Sequence, residues 1–289
     1  MIATATNLLI LLAYMPWAPA PTFHPTSVAS SGGENQPVPS PESEQEKVAA
    51  RDEKARAKLE SVRDRLIENW KQVKTLRMTI DIEVRSKLFG GQEDISEGGG
   101  VIEINRTRTP RRVRTESRLN PVDTGGETYR HRPSMLQAVI EDGEAVYTIR
   151  QVGPGSAAYK HDLGTPYFPE FAPDVIFDQL GPTMEMMVDG ESEILDRPVV
   201  IVKAVAEEGV PVYSFFFDKA SGVALKVVMD DPVRQTMFST FTCIELKLNV
   251  PIDDDRFKVE IPDGLELIDQ TTKKSAADNK DGDQESESP

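Results

Sequence analysis

The chain has 289 residues and a formal net charge of −15, which excludes nucleic acid as a general partner, because gripping a phosphate backbone takes basic surface. The same charge argues against loose adhesion to an anionic membrane. One cysteine, Cys243, excludes an intramolecular disulfide, and its place in an alternating strand reads as a small buried side chain.

The first residues carry one apolar run, from Leu8 to Ala18. It is shorter than the ~20 residues that span a bilayer and fits the apolar core of a signal peptide, although no Lys or Arg precedes it. Ser27-Val28-Ala29 supplies a small-x-small cleavage site. Residues 1–29 are therefore read as a leader and the protein as exported to the periplasm. No Cys follows the run, so the chain is not itself a bacterial-type lipoprotein. Residues 30–50, rich in Pro, Ser and Glu, and the acidic tail 270–289 have too little apolar surface to offset their chain entropy. They are expected to be disordered, leaving 51–269 as one folded domain.

Residues 44–74 hold helix formers, with Leu59, Val62, Leu66, Trp70 and Val73 at helical spacing. That is one apolar stripe on a polar helix, packed against something larger. Alternation then takes over: Leu76, Met78, Ile80, Ile82 and Val84 are separated by polar residues, as in a strand with one buried face. Gly98–Gly100 reads as a turn into a second strand with Ile102 and Ile104. A third spans 111–119. Segments 136–141 and 144–150 flank Asp142-Gly143, a hairpin signal, and 157–163 reads as a sixth strand. Residues 174–180 break the pattern as a short helix or folded loop. Strands resume at 199–206, 212–218, 223–229 and 236–248, with a turn closed by Gly222. Beyond them come a short hydrophobic strand near Phe257, Pro262-x-Gly264 and an apolar end.

No long helix separates the strands, so the sheet is expected to be antiparallel. The fold class is α+β: a large curled antiparallel sheet of about ten strands, an incomplete barrel. The N-terminal amphipathic helix and the helical insertion cover its concave face. A sheet of this size coils because its strands twist, and a coiled sheet under helices encloses an apolar space that is either filled core or a ligand cavity. Candidate wall residues are Leu76, Met78, Ile80, Ile82, Ile102, Ile104, Phe238, Ile244 and Leu246.

Catalytic chemistry is not visible. The three histidines, His24, His131 and His161, have no metal-ligand spacing, and there is no nucleophile motif, phosphate loop or dinucleotide fingerprint. Asp253-Asp254-Asp255 lacks the spacing of a calcium loop and reads as a solvated turn, as does Asp230-Asp231. The expectation is a protein that is not an enzyme and needs no metal or cofactor. Arg106 stands out because it continues the face set by Ile102 and Ile104. Either the strand ends at Asn105 and Arg106 lies on a wet rim, or its guanidinium reaches backbone carbonyls of the covering helices and latches them. Arg106, Arg108, Arg111, Arg112, Arg114 and Arg118 form a basic run, either a solvated strand face or a patch for phosphates or an acidic partner.

Four segments together resemble the LolA-type lipoprotein carriers. These are Gly100 through Arg106, where that family has a Gly, a short strand and Arg-Pro; the hairpin Val139 through Tyr147; the strand-turn unit Phe217 through Gly222; and the ending from Asn249 through Phe257 to Ile261-Pro262-Asp263-Gly264 and Asp269. The likeness spans roughly 55–269, with the Pro expected after Arg106 displaced to Pro110. It implies a half-barrel with a helical lid over an apolar cavity, with Arg106 at the family's lid-latching position. It further implies a monomeric carrier of lipid or of acylated lipoproteins, passing cargo between inner- and outer-membrane transfer proteins. The alternative is an RseB-like envelope sensor that binds without transport. Such proteins carry a further domain after this unit, whereas here the chain ends soon after Asp269, which favours the carrier.

Overall fold

The computed structural model of the chain describes residues 41–87, 93–122, 134–153, 156–165, 171–206, 212–231 and 237–271. The expected leader, its cleavage site, His24, His131 and the tail beyond Thr271 lie outside these residues.

The first element is helix α1 (Pro41–Lys71), which starts inside the segment expected to be disordered. Lys71 lies in its last turn, in accord with the helix dipole. The described side chains from Ala50 to Lys58 are all exposed. Burial begins with the stripe: Leu59 and Val62 are partly covered, and Leu66 and Trp70 are fully buried. Among the described side chains of α1, those that lie on the sheet start at Leu59.

The strands are β1 (Thr75–Lys87), β2 (Glu93–Asn105), β3 (Arg112–Pro121), β4 (Met135–Glu141), β5 (Ala145–Gln151), β6 (Ala157–Asp162), β7 (Met184–Ile194), β8 (Arg197–Ala206), β9 (Val212–Asp218), β10 (Ala224–Asp230), β11 (Met237–Leu248) and β12 (Leu267–Asp269), with helix α2 (Pro173–Leu180) between β6 and β7. They form one 12-stranded sheet in the order β12-β6-β5-β4-β3-β2-β1-β11-β10-β9-β8-β7. Its edges, β12 and β7, do not pair with each other, so the sheet is a curled half-barrel and not a closed one.

Two strands exceed the expected ten. β7, with sequence MEMMVDGESEI, is acidic and forms an edge, pairing only with β8. Its inward set Met184, Met186 and Val188 is offset by a bulge between Val188 and Gly190, which breaks the simple alternation. β12 pairs with β6 in parallel, the one exception to the antiparallel expectation. The hydrophobic strand expected near Phe257 is instead a single 3-10 turn, Asp254–Phe257, followed by irregular chain.

Gly98, Gly99 and Gly100 are not a turn; they lie within β2. A Cβ at Gly98 would sit 1.7 Å from the Arg118 carbonyl oxygen, and one at Gly100 would sit 2.4 Å from that of Glu116. The β3 backbone folds over β2 here, and only glycine admits that approach. β2 lies at the middle of the strand order. It divides the concave face into a wing of β1 and β7–β11 and a wing of β3–β6.

Each face has its own core. On the concave side, Leu76, Met78, Ile80, Ile82, Ile102 and Ile104 join Phe215, Phe217, Leu225, Val227 and Phe241 beneath Leu66, Trp70, Ile176 and Phe177 of the two helices. On the convex side, the chain after β11 crosses β3–β6. Phe257 is buried, and Val259, Ile261 and Leu265 pack on Ala138, Ile140, Ile149 and Ala158. The apolar coda is thus a strap that covers the outer face of one wing and ends as β12 on its edge.

Candidate functional site

The site begins where β2 ends. The Asn105 side-chain oxygen accepts from the Thr107 amide at 3.0 Å and the Thr107 hydroxyl at 2.6 Å, a local turn that stops the strand. The Arg106 amide donates to the Lys74 carbonyl at 2.8 Å, which holds the residue at the rim. From there its guanidinium donates to the Trp70 carbonyl and, at 3.1 Å, to the Val73 carbonyl. It also lies 4.5 Å from the centroid of the Trp70 ring.

Helix ends leave their last carbonyls without intrahelical partners and carry partial negative charge. Arg106 supplies both a donor and a positive charge at that point, a C-cap provided by a distant strand. Burial lowers its pKa, Asp174 at the start of α2 raises it, and Arg111 lowers it; an arginine stays charged throughout.

Other contacts fix the same half of α1. The Asn69 side-chain amide donates to the Lys219 carbonyl at 2.7 Å. Arg63 meets Asp178 of α2 at 3.2 Å, an exposed pair of small energetic weight. Gly222, at φ 77°, would place a Cβ 2.2 Å from the Leu66 carbonyl oxygen, so α1 rests directly on the turn between β9 and β10.

That turn is rigid. Asp218, 0% exposed, accepts from Arg197 at 2.8 Å, from the Ser221 amide at 3.0 Å and from the Ser221 hydroxyl. Burial alone would raise the Asp218 pKa, but the hydrogen bonds from Arg197 and Ser221 outweigh it and hold the carboxyl below its ordinary value.

Of the sequence-derived wall residues, Leu76, Met78, Ile80, Ile82, Ile102 and Ile104 are buried on the concave face, and Leu246 is half-buried beside them. Phe238 and Ile244 are elsewhere. The register between β1 and β11 shifts at Thr79/Ile80, pairing Thr79 with Glu245 but Ile80 with Cys243, so Ile244 is an extra residue. Before the bulge the inward set is Ser239, Phe241 and Cys243; after it, Leu246 and Leu248. Ile244 is 47% exposed, and Phe238 lies on the convex face beneath Arg85.

The wall also includes an aromatic ladder that the wall set omitted: Tyr213, Phe215 and Phe217 stack along β9, and Phe177 of α2 stacks on Phe217 at 5.8 Å. The alternation Tyr213-Ser214-Phe215-Phe216-Phe217 was its signal.

Most of the basic run is neutralised within the chain. Arg108 and Arg112 meet Asp254 at 2.7 and 3.4 Å, Arg111 meets Glu141 at 3.7 Å, and Arg114 meets Glu116 at 2.7 Å. Arg118 is exposed. His161 stacks on Tyr159. Among the described residues, no three His, Cys, Asp or Glu side chains are grouped to hold a metal ion, and no helix is long and apolar enough to cross a membrane.

No protein-family model and no curated protein sequence matches the chain. Solved structures give distant likenesses. MucB is 15% identical with a TM-score of 0.40, over 71% of this chain and 63% of that one, so the match spans less than two thirds of MucB's own length. A putative outer membrane lipoprotein-sorting protein domain from Vibrio parahaemolyticus is 11% identical with a TM-score of 0.31, over 71% of this chain and 97% of that one. A LolA superfamily protein from Nitrosomonas europaea is 11% identical with a TM-score of 0.29, over 69% and 97%.

Proposed function

We propose that this chain is an exported, non-enzymatic carrier. It takes lipid, or the acyl chains of lipoproteins, onto the concave face of the half-barrel beneath α1 and α2, and moves them through the periplasm toward the outer membrane. The observation that supports this most is the attachment of α1. A lid must cover apolar surface yet be released without unfolding the sheet. α1 is held at its C-terminal end by Arg106 and Asn69, both reaching it from or to the sheet, while its side chains from Ala50 to Lys58 are all exposed. Opening the helix breaks a few polar contacts and exposes Leu66 and Trp70, but it leaves the strand ladder whole. The LolA-type resemblance implies a latching role for Arg106, which supports this reading.

The energetics suit such a role. Each buried methylene is worth ~0.8 kcal/mol, so several acyl chains amount to tens of kcal/mol, which water cannot supply and an apolar face can. Acyl chains offer no directional contacts, so selectivity falls to shape and to lid opening. The expected partners are an acylated lipoprotein or a lipid, with membrane proteins at either end of the transfer, and the carrier acts as a monomer. Stopped-flow release of a fluorescent acyl probe from wild type and Arg106→Leu tests the reading. Faster release from a folded variant supports it, and failure of the wild-type protein to take up any acyl probe contradicts it.

A further inference from the structure

The second wing of the concave face differs in chemistry from the first. Cross-strand partners in an antiparallel sheet share a face, so the register carries the apolar row through Ile80 and Gly100 to Ser117 on β3, Gln137 on β4 and Arg150 on β5. The adjacent row runs from Ile102 through Thr115 and Val139 to Thr148 and Tyr159. Ser117, Gln137, Thr148, Arg150 and Tyr159 are all half-buried. None of their side chains hydrogen-bonds another described residue.

Arg150 is the exceptional member. Its Nε is buried without an acceptor, a costly arrangement for a group that is always charged. The same-face acid on β4, Glu141, is four residues from Gln137, roughly 13 Å along the strand, and meets Arg111 at 3.7 Å. A guanidinium beside the Gln137 carboxamide, with the Thr148 hydroxyl two residues along its own strand and the same-face acid Glu141 far from it, is complementary to an anion. The spacing fits an amphiphile. Four strand intervals of about 4.8 Å place Arg150 about 19 Å from Ile80 along the sheet, and one acyl chain spans roughly half of a ~30 Å bilayer core.

We propose that the Ser117–Gln137–Arg150 row binds the anionic head group, carboxylate or phosphate, of an amphiphile whose acyl chain lies across Gly100 onto the Ile80 wing. This inference rests on the acyl-binding reading above and adds to it a preference for acidic ligands. A charge-assisted hydrogen bond at a partly desolvated site is expected to give at least about tenfold in affinity.

The test compares cis-parinaric acid with its methyl ester, probes of one chain and two charges, titrated into the full chain at pH 8. The wild-type protein is expected to bind the acid at least about tenfold more tightly. Arg150→Gln is expected to lose that preference while binding the ester unchanged, and Arg150→Lys to keep part of it. Gln137→Leu, should Arg150→Gln fail to fold, is expected to weaken the preference in the same direction. Displacement of the bound acid by oleate or by lysophosphatidic acid distinguishes a carboxylate from a phosphate head, either supporting the site; displacement by neither overturns it. Equal affinity of wild type for acid and ester, or an undiminished preference in Arg150→Gln, removes the head-group site but leaves acyl binding standing. Binding of neither probe removes both.

Discussion

Arg106 holds Trp70 twice, with its guanidinium 4.5 Å from the indole centroid and a hydrogen bond to the Trp70 carbonyl. One strand residue thereby fixes both the end of α1 and the largest side chain that α1 places in the core. The two interactions act on different things: the ring contact favours the buried Trp70, and the carbonyl contacts close the helix end.

Replacing Arg106 by Leu removes these interactions without opening the sheet. Hydrogen bonds to charged groups contribute about 1.5–3 kcal/mol each when buried, and the half-exposed position of Arg106 lowers that to about 2 kcal/mol for the set. For a domain of this size the melting temperature should fall by about 4–8 °C. Release of an acyl probe should accelerate by about tenfold, because closing the lid contributes to retention. Amides in the last turns of α1 should exchange faster than those of β1. Unchanged release with an unchanged melting curve would show that Arg106 is merely a rim residue.

The glycines of β2 give a sharper structural test. Gly98→Val forces a side chain into the Arg118 carbonyl, 1.7 Å from the Cβ position, and strand backbone has no cheap way to yield. A loss of more than about 3 kcal/mol is expected, read as a collapse of the chemical-denaturation midpoint. Gly190→Ala in β7 meets nothing within 4 Å and should stay within about 0.5 kcal/mol of wild type. A tolerated Gly98→Val would mean that β2 and β3 do not approach as described.

The contrast between those glycines shows what the sequence could and could not disclose. Alternation in β1 placed Leu76, Met78, Ile80 and Ile82 on the buried face, because a period of two needs no tertiary information. The amphipathic stripe of α1 was legible for the same reason. Three adjacent glycines read as a turn, since the β3 carbonyls that require Gly98 and Gly100 are remote in sequence. Ile244 was assigned to the wrong face because a bulge reverses the phase of everything beyond it, and sequence does not mark the bulge. The acidic edge β7 and the parallel partner of β6 depend on pairing between distant segments. Arg106 was visible as a charge out of phase, with two destinations open. The Arg150 row was not visible, because a polar residue on a strand reads as solvent-facing until the register shows which face it shares.

Asp218 predicts a pH dependence. Its folded pKa lies below its ordinary value, so the folded state binds protons less readily than the unfolded chain. The resulting stability is complete above the unfolded carboxyl pKa, about pH 4, and is lost as pH falls through the lower folded value. Asp218→Asn should remove that acid dependence. At neutral pH it should cost about 1–3 kcal/mol, because the charge-assisted bonds at a buried acceptor are weakened while Arg197 keeps a third of its side chain in solvent. Thermal melts from pH 7 to pH 3 check both, and an unchanged acid limb in the variant would exclude Asp218 as its source.

Cys243 is buried, and burial pushes its thiol up to about 11. Thiolate is the reactive form, so the folded protein should resist alkylation by iodoacetamide at pH 8 and react fully in guanidinium chloride. Rapid labelling of the folded chain would place β11 nearer solvent than its register with β1 allows.

Loading of the half-barrel with acyl chains beneath α1 is read out by native mass spectrometry of the full chain purified from the envelope fraction of its own host. Bound mass is expected that survives desalting, is released by organic solvent, and is identified as lipid or acylated lipoprotein, with less of it in Arg106→Leu. A ligand-free protein that also refuses fluorescent acyl probes would contradict it.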